Sequence, residues 1–188
     1  MTKLCVAVSA LIIAATASVA QQAVEPPPRP DDSGPSLDVT LKFIQDKIKN
    51  TGKVNWVVYC HNNVNGDDIT GLFSREKMNV ATDASMCRVS YHRKEIRDDQ
   101  TQVDQDFWVN LRNAKVIQVW SGDEMQRRIE AGSGHPEISC RLDPPVWIVR
   151  VDDLQDEFYF YDEDLANRVA KAMLHAVELC GGGNHDPF

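Results

Sequence analysis

Two hydrophobic periods divide this chain. Leu37, Leu41, Ile44 and Ile48 recur at three- and four-residue spacing behind Ser36, a good N-cap, and predict an amphipathic helix stopped by Asn50 and Gly52. From Lys53 the period falls to two: Val54, Trp56, Val58 and Cys60 share one side of a first strand over residues 53–60, and residues 62–68, dense in Asn, Asp and Gly, turn the chain. Further strands are predicted over residues 69–74, 87–97, 103–111 and 114–121. Asp123 is placed to cap a short helix through Ile129, and residues 133–142 read as loop. Residues 146–151 and 157–161 complete seven strands, with Pro144 and Pro145 tolerated because they stand at a strand start. Asp162, Glu163 and Asp164 then put negative charge where a helix macrodipole favours it. The helix that follows carries an apolar face through Leu165, Val169, Met173, Val177 and Cys180, and Gly181 to Gly183 end it.

This order predicts an α+β, mainly β domain over residues 36–183: seven antiparallel strands as a barrel or two bent sheets, a C-terminal capping helix and an extra N-terminal helix. Over residues 53–180 the chain resembles the pleckstrin-homology-like barrels. The resemblance is carried by strand order and by the junction Phe158-Tyr159-Phe160-Tyr161-Asp162 leading into Leu165 to Gly181. The terminal Leu179-Cys180-Gly181-Gly182 is also similar to that of a set of secreted bacterial proteins. The barrel resemblance implies a helix plugging one end of the rolled sheets and binding through loops or exposed edges. Phosphoinositide binding does not carry over, because members with that activity place Lys and Arg on and after the first strands. Residues 61–68 here hold acids and no Lys or Arg.

Ahead of the domain, residues 1–20 read as a signal peptide: Lys3, an apolar run from Leu4 to Ala15, and Ser18-Val19-Ala20 before the cleavage point. Residues 21–35, with five prolines, read as an extended tether, and residues 184–188 as a loose tail. The expectation is a secreted or periplasmic protein that is not an integral membrane protein after cleavage. Loss of Lys3 takes the formal charge from −8 to −9. With no compensating basic patch, nucleic acid is excluded as a partner. Cys60, Cys87, Cys140 and Cys180 remain, an even number for an oxidising compartment. Without close Cys pairs, disulfides are favoured over a metal, and three pairings are open. A staple between the last helix and the barrel favours Cys87 with Cys180, which leaves Cys60 with Cys140.

Candidate chemistry is sparse. Ser133 and His135 stand close in sequence but lack a nucleophile elbow. Asn63, Asn65 and Asp67 imitate a calcium loop, yet the twelfth position counted from His61 is Leu72 where a bidentate acid is required. Asp152, Asp153 and Glu157 read as acidic turns rather than a glycosidase pair. No cofactor or metal is expected, and catalysis is not the favoured reading. Trp56 and Trp147 are assigned to the core, whereas Trp108, set among Asp104, Asp106 and Asn110, is a possible contact surface. The leading expectation is a non-catalytic module binding a secreted or envelope protein or peptide. A hydrolase site assembled in space and a barrel holding a small apolar ligand are the alternatives.

Overall fold

The computed structural model describes residues 34–133, 138–152 and 156–182. The signal peptide, most of the tether, His135, Asp153 and the tail lie outside these residues, as does the side chain of Ser133. The compact unit begins at Pro35.

It is an α+β fold of two antiparallel sheets. Helix α1 (Leu37–Thr51) starts as its cap predicts, Ser36 Oγ accepting from Val39 N, and buries Leu41, Ile44 and Ile48. Strands β1 (Lys53–Asn62), β2 (Asp68–Asp83), β3 (Arg88–Arg97) and β4 (Gln100–Asn110) form a meander. A 3₁₀ turn at Leu111–Asn113 leads into β5 (Ile117–Ser121) and helix α2 (Gly122–Ser133). Strand β6 (Ile138–Asp143) then returns to pair with β1, so the first sheet runs β4-β3-β2-β1-β6. Strands β7 (Trp147–Val151) and β8 (Asp156–Phe160) join β5 in a second sheet ordered β5-β7-β8. Helix α3 (Glu163–Leu179) closes the domain, its first turn capped by Asp162 accepting from Leu165 N at 2.6 Å.

Three expectations change. Among the described residues there are eight strands rather than seven, and neither sheet closes into a barrel. The added strand is β6, in the stretch read as loop, where Ile138, Cys140 and Leu142 alternate inward. Helix α2 is longer than expected and is capped by Ser121 Oγ, which accepts from Glu124 N at 3.1 Å; Asp123 instead accepts from Leu142 N at 3.2 Å and ties the helix to β6.

Two apolar clusters hold the unit together. The larger joins α1 and α3 to β3, β4, β7 and β8 through Leu41, Ile44, Val89, Val109, Val149, Phe158, Phe160, Val169 and Met173, all at most 3% exposed. The terminal helix therefore packs on the strands, its Val169, Met173 and Val177 meeting the small sheet. The smaller cluster gathers Val54, Trp56, Val58, Val146, Ile148 and Tyr159 between the sheets. Cys87 bonds Cys180, fastening the start of β3 to the end of α3. Cys60 bonds Cys140, its direct partner across the β1–β6 ladder.

Candidate functional site

The period-two pattern of β1 sends Trp56, Val58 and Cys60 toward the small sheet, and β2 contributes Phe73 and Arg75 to the same side. Opposite stand Ile148 of β7 and Tyr159 of β8, which are direct partners. Gly122, Met125 and Gln126 of α2, with Leu142 of β6, form a further wall, and Arg97 and Asp98 stand at the β3–β4 turn. These residues enclose a cleft of about 410 Å³, within the range that takes small ligands. Gly122 is needed in that wall: a Cβ there would lie 2.6 Å from Leu142 Cδ2 and 2.8 Å from Val146 Cγ2.

The cleft's aromatic side is continuous. Trp56 stacks on Phe73 (centroids 5.7 Å apart) and on Tyr159 (4.9 Å), and the ends of this row are covered by Arg97 over Phe73 and Arg75 over Tyr159. Each guanidinium gains from the ring face beneath it.

Beneath the apolar lining lies a belt of charge. On the inner faces of β2 and β3 the register pairs Phe73 with Arg97, Arg75 with Glu95 and Lys77 with Arg93. Glu95 is shared by Arg75 and Arg93. From the second sheet, Glu157 accepts from Tyr159 Oη at 2.5 Å and pairs with Arg150 at 3.2 Å, while Asp156 accepts from Tyr91 Oη at 2.6 Å. Lys77 is only 8% exposed, and its ammonium sits over the rings of Tyr91 (4.1 Å) and Phe158 (4.6 Å). Burial, reinforced by the positive charge of Arg93, lowers its pKa from 10.5 to about 7. Burial raises the Asp156 carboxyl, against the Tyr91 hydrogen bond and the pull of Lys77, and pushes the Tyr91 and Tyr159 hydroxyls well above the ordinary phenol range.

Ser133, His135 and Asp153 lie outside the described side chains, and none of the other catalytic candidates read from sequence is assembled here. Asp152 accepts from Lys115 N and Val116 N and so ties down a loop, and Glu157 belongs to the belt. The Asn-rich turn satisfies itself: Asn62 Oδ1 accepts from Val64 N at 2.9 Å, and Asn65 donates to Asp67 at 2.7 Å. Among the described residues no group of three His, Cys, Asp or Glu is placed to hold a metal ion, and no helix is long and apolar enough to cross a membrane. One row resembles catalytic machinery. His61 Nδ1 meets Asp68 at 2.8 Å, and Ser139 faces His61 across the β1–β6 ladder beside an open depression. Among the described residues no hydrogen bond joins Ser139 to His61, and Asp68 is largely in solvent, so the row lacks the hydrogen-bonded order of an acyl-transfer site.

Trp108 is 64% exposed on β4, and Trp56 is buried at 5%, as read from the sequence; Trp147 is only partly buried. The residues missed were Arg75, Lys77, Arg97 and Met125. No family model, curated protein or solved structure matches this chain.

Proposed function

We propose that the protein is a non-catalytic binding module, acting outside the cytoplasm, that holds a small ligand with an apolar body in the cleft between its sheets. The observation that carries this reading is the cleft itself: about 410 Å³ lined by Trp56, Val58, Phe73, Met125, Leu142 and Ile148, with polar groups confined to a few positions. Two disulfides fit an oxidising compartment. The fold reading that accompanies it is an opened relative of the pleckstrin-homology-like barrel, with α3 against one end and the cleft at another.

Titration with the uncharged fluorophore N-phenyl-1-naphthylamine tests the proposal. Saturable binding near one site per chain is expected, and Leu142→Trp, which fills the cleft, should abolish it. Absence of saturable binding, or binding unchanged in that variant, refutes the reading. A second reading rests on β4, which among the described residues pairs only with β3 and displays Trp108. Such a free edge suits strand addition by an extended peptide. Peptide-induced shifts confined to β4 amides in NMR spectra would favour it, and Trp108→Ala should remove them.

A further inference from the structure

Charged side chains on the inner face of a strand oppose folding unless something compensates them. Between residues 73 and 77 of β2 and 93 and 97 of β3, the inner face carries four cations, Arg75, Lys77, Arg93 and Arg97, and one carboxylate, Glu95. The turn adds Asp98, whose Oδ1 already accepts from Leu72 N at 2.8 Å and whose Oδ2 lies 3.6 Å from Arg97. The opposing sheet adds Arg150, Asp156 and Glu157, but Arg150 and Tyr159 engage Glu157 and Tyr91 engages Asp156. Of this group, Arg75, Arg97 and Asp98 line the cleft itself. Arg75 is 25% exposed and lines both the cleft and a small cavity shared with Lys77. Arg97, 62% exposed, stands at the cleft's margin. An apolar chamber with one guanidinium in its wall, a second at its margin and a single carboxylate, Asp98, beside them is complementary to one ligand chemistry.

We infer that the cleft takes a small amphipathic organic anion, a carboxylate or sulfonate on an apolar body, with its acid group on Arg75 and Arg97 and its body against Trp56, Met125 and Ile148. The inference rests on the cleft being a ligand site. It carries a linkage. Lys77 lies two strand positions from Arg75, about 7 Å away along β2, so its charge adds to the attraction while it is protonated. The groups facing Lys77 are Arg75 on its own strand, Tyr91 and Arg93 on β3, and Asp156 and Glu157 on β8; α1 presents only Ile48 and Thr51 to the shared cavity. Anion affinity therefore falls as Lys77 loses its proton.

The test compares 8-anilinonaphthalene-1-sulfonate with N-phenyl-1-naphthylamine, which share the apolar body and differ in the anionic group. At pH 6 the sulfonate should bind roughly tenfold more tightly, and raising the pH to 8.5 should cut that preference several-fold. Arg97→Gln should reduce the preference at both pH values, and Lys77→Met should flatten its pH dependence; both variants leave Glu95 with Arg75 in place. Decanoate and 2-naphthoate, as displacing agents, separate an aliphatic from an aromatic natural body, and at least one must compete. Equal binding of the two fluorophores, a preference untouched in both variants, or displacement by neither acid overturns the inference while leaving the cleft reading intact. Failure of both fluorophores to bind overturns the cleft reading as well.

Discussion

Replacing Lys77 with Met probes the least comfortable residue in the fold. Its side chain is 8% exposed, rests on two aromatic rings, and among the described residues has no hydrogen bond or ion pair. With the pKa lowered from 10.5 to about 7, the unfolded chain holds a proton on this lysine between those values and the folded protein does not. The unfolded state binds more protons there, so this residue's contribution makes stability rise with pH across that window. Linkage with those two values puts the rise at about 2 kcal/mol between pH 7 and pH 9. Below pH 6 both states are protonated and the contribution is flat, with the buried ammonium at its most costly. Methionine keeps the length and removes the charge, so Lys77→Met should be more stable than the parent at pH 6, and its advantage should shrink by about 2 kcal/mol from pH 7 to pH 9. Urea unfolding followed by tryptophan fluorescence at half-unit pH steps measures both proteins, and taking the difference cancels the groups they share. A difference that stays level from pH 6 to pH 9 would mean that Lys77 keeps its proton throughout, and the reasoning from burial would fail.

Three other outcomes are expected. Cys87→Ser with Cys180→Ser opens a loop of 93 residues and should lower stability by about 4.5 kcal/mol on the chain-entropy account, seen as an earlier urea midpoint; an unchanged midpoint contradicts it. Trp56→Ala, removing a ring 5% exposed from the centre of the aromatic row, should cost about 3–5 kcal/mol in the same assay and abolish naphthylamine binding. His92, held between Asp106 (2.8 Å) and Asp104 (2.6 Å), has its pKa raised above 6.5 by those two hydrogen bonds, so its stabilising effect is present below 6.5 and is lost as pH climbs through the raised value. An NMR titration should place it above 6.5 and show it falling in Asp106→Asn; no fall would remove the carboxylates as the cause.

Helices α1 and α3 were legible because their apolar stripes and caps repeat one message: Ser36 and Asp162 cap, Gly52 and Gly181 stop, and the intervening faces bury as spaced. The strands were legible only where alternation was apolar against polar. Strand β2 extends to Asp83, but its recognisable part ended at Ser74, because the next inward positions are Arg75 and Lys77. A cation on an inward face is indistinguishable by period from one facing solvent, so the same residues that hid the strand also hid the site. Strand β6 was lost for another reason. It has six residues, begins beyond a Gly- and Pro-containing stretch, and earns its place through Cys140 opposite Cys60, a contact no local pattern contains.

That coincidence has a physical basis. A core built for stability alone would place leucine or methionine at positions 75 and 77, since a buried charge surrenders hydration that its partners return only in part. Here the belt reaches the cleft through Arg75 and Arg97 and borders the larger cluster through Lys77, whose ammonium lies over Tyr91 and Phe158, whereas Val149, Val169 and Met173 around α3 are apolar and fully buried. The domain therefore separates two tasks. Its stability comes from the α1–α3 side and the Cys87–Cys180 bond, which can offset the charges at the cluster's border. Arg75 links the belt to the accessible cleft, being at once a member of the one and part of the wall of the other. Relieving the belt should raise stability and lower anion affinity together. Variants that move the two in the same direction would show the charges to be structural.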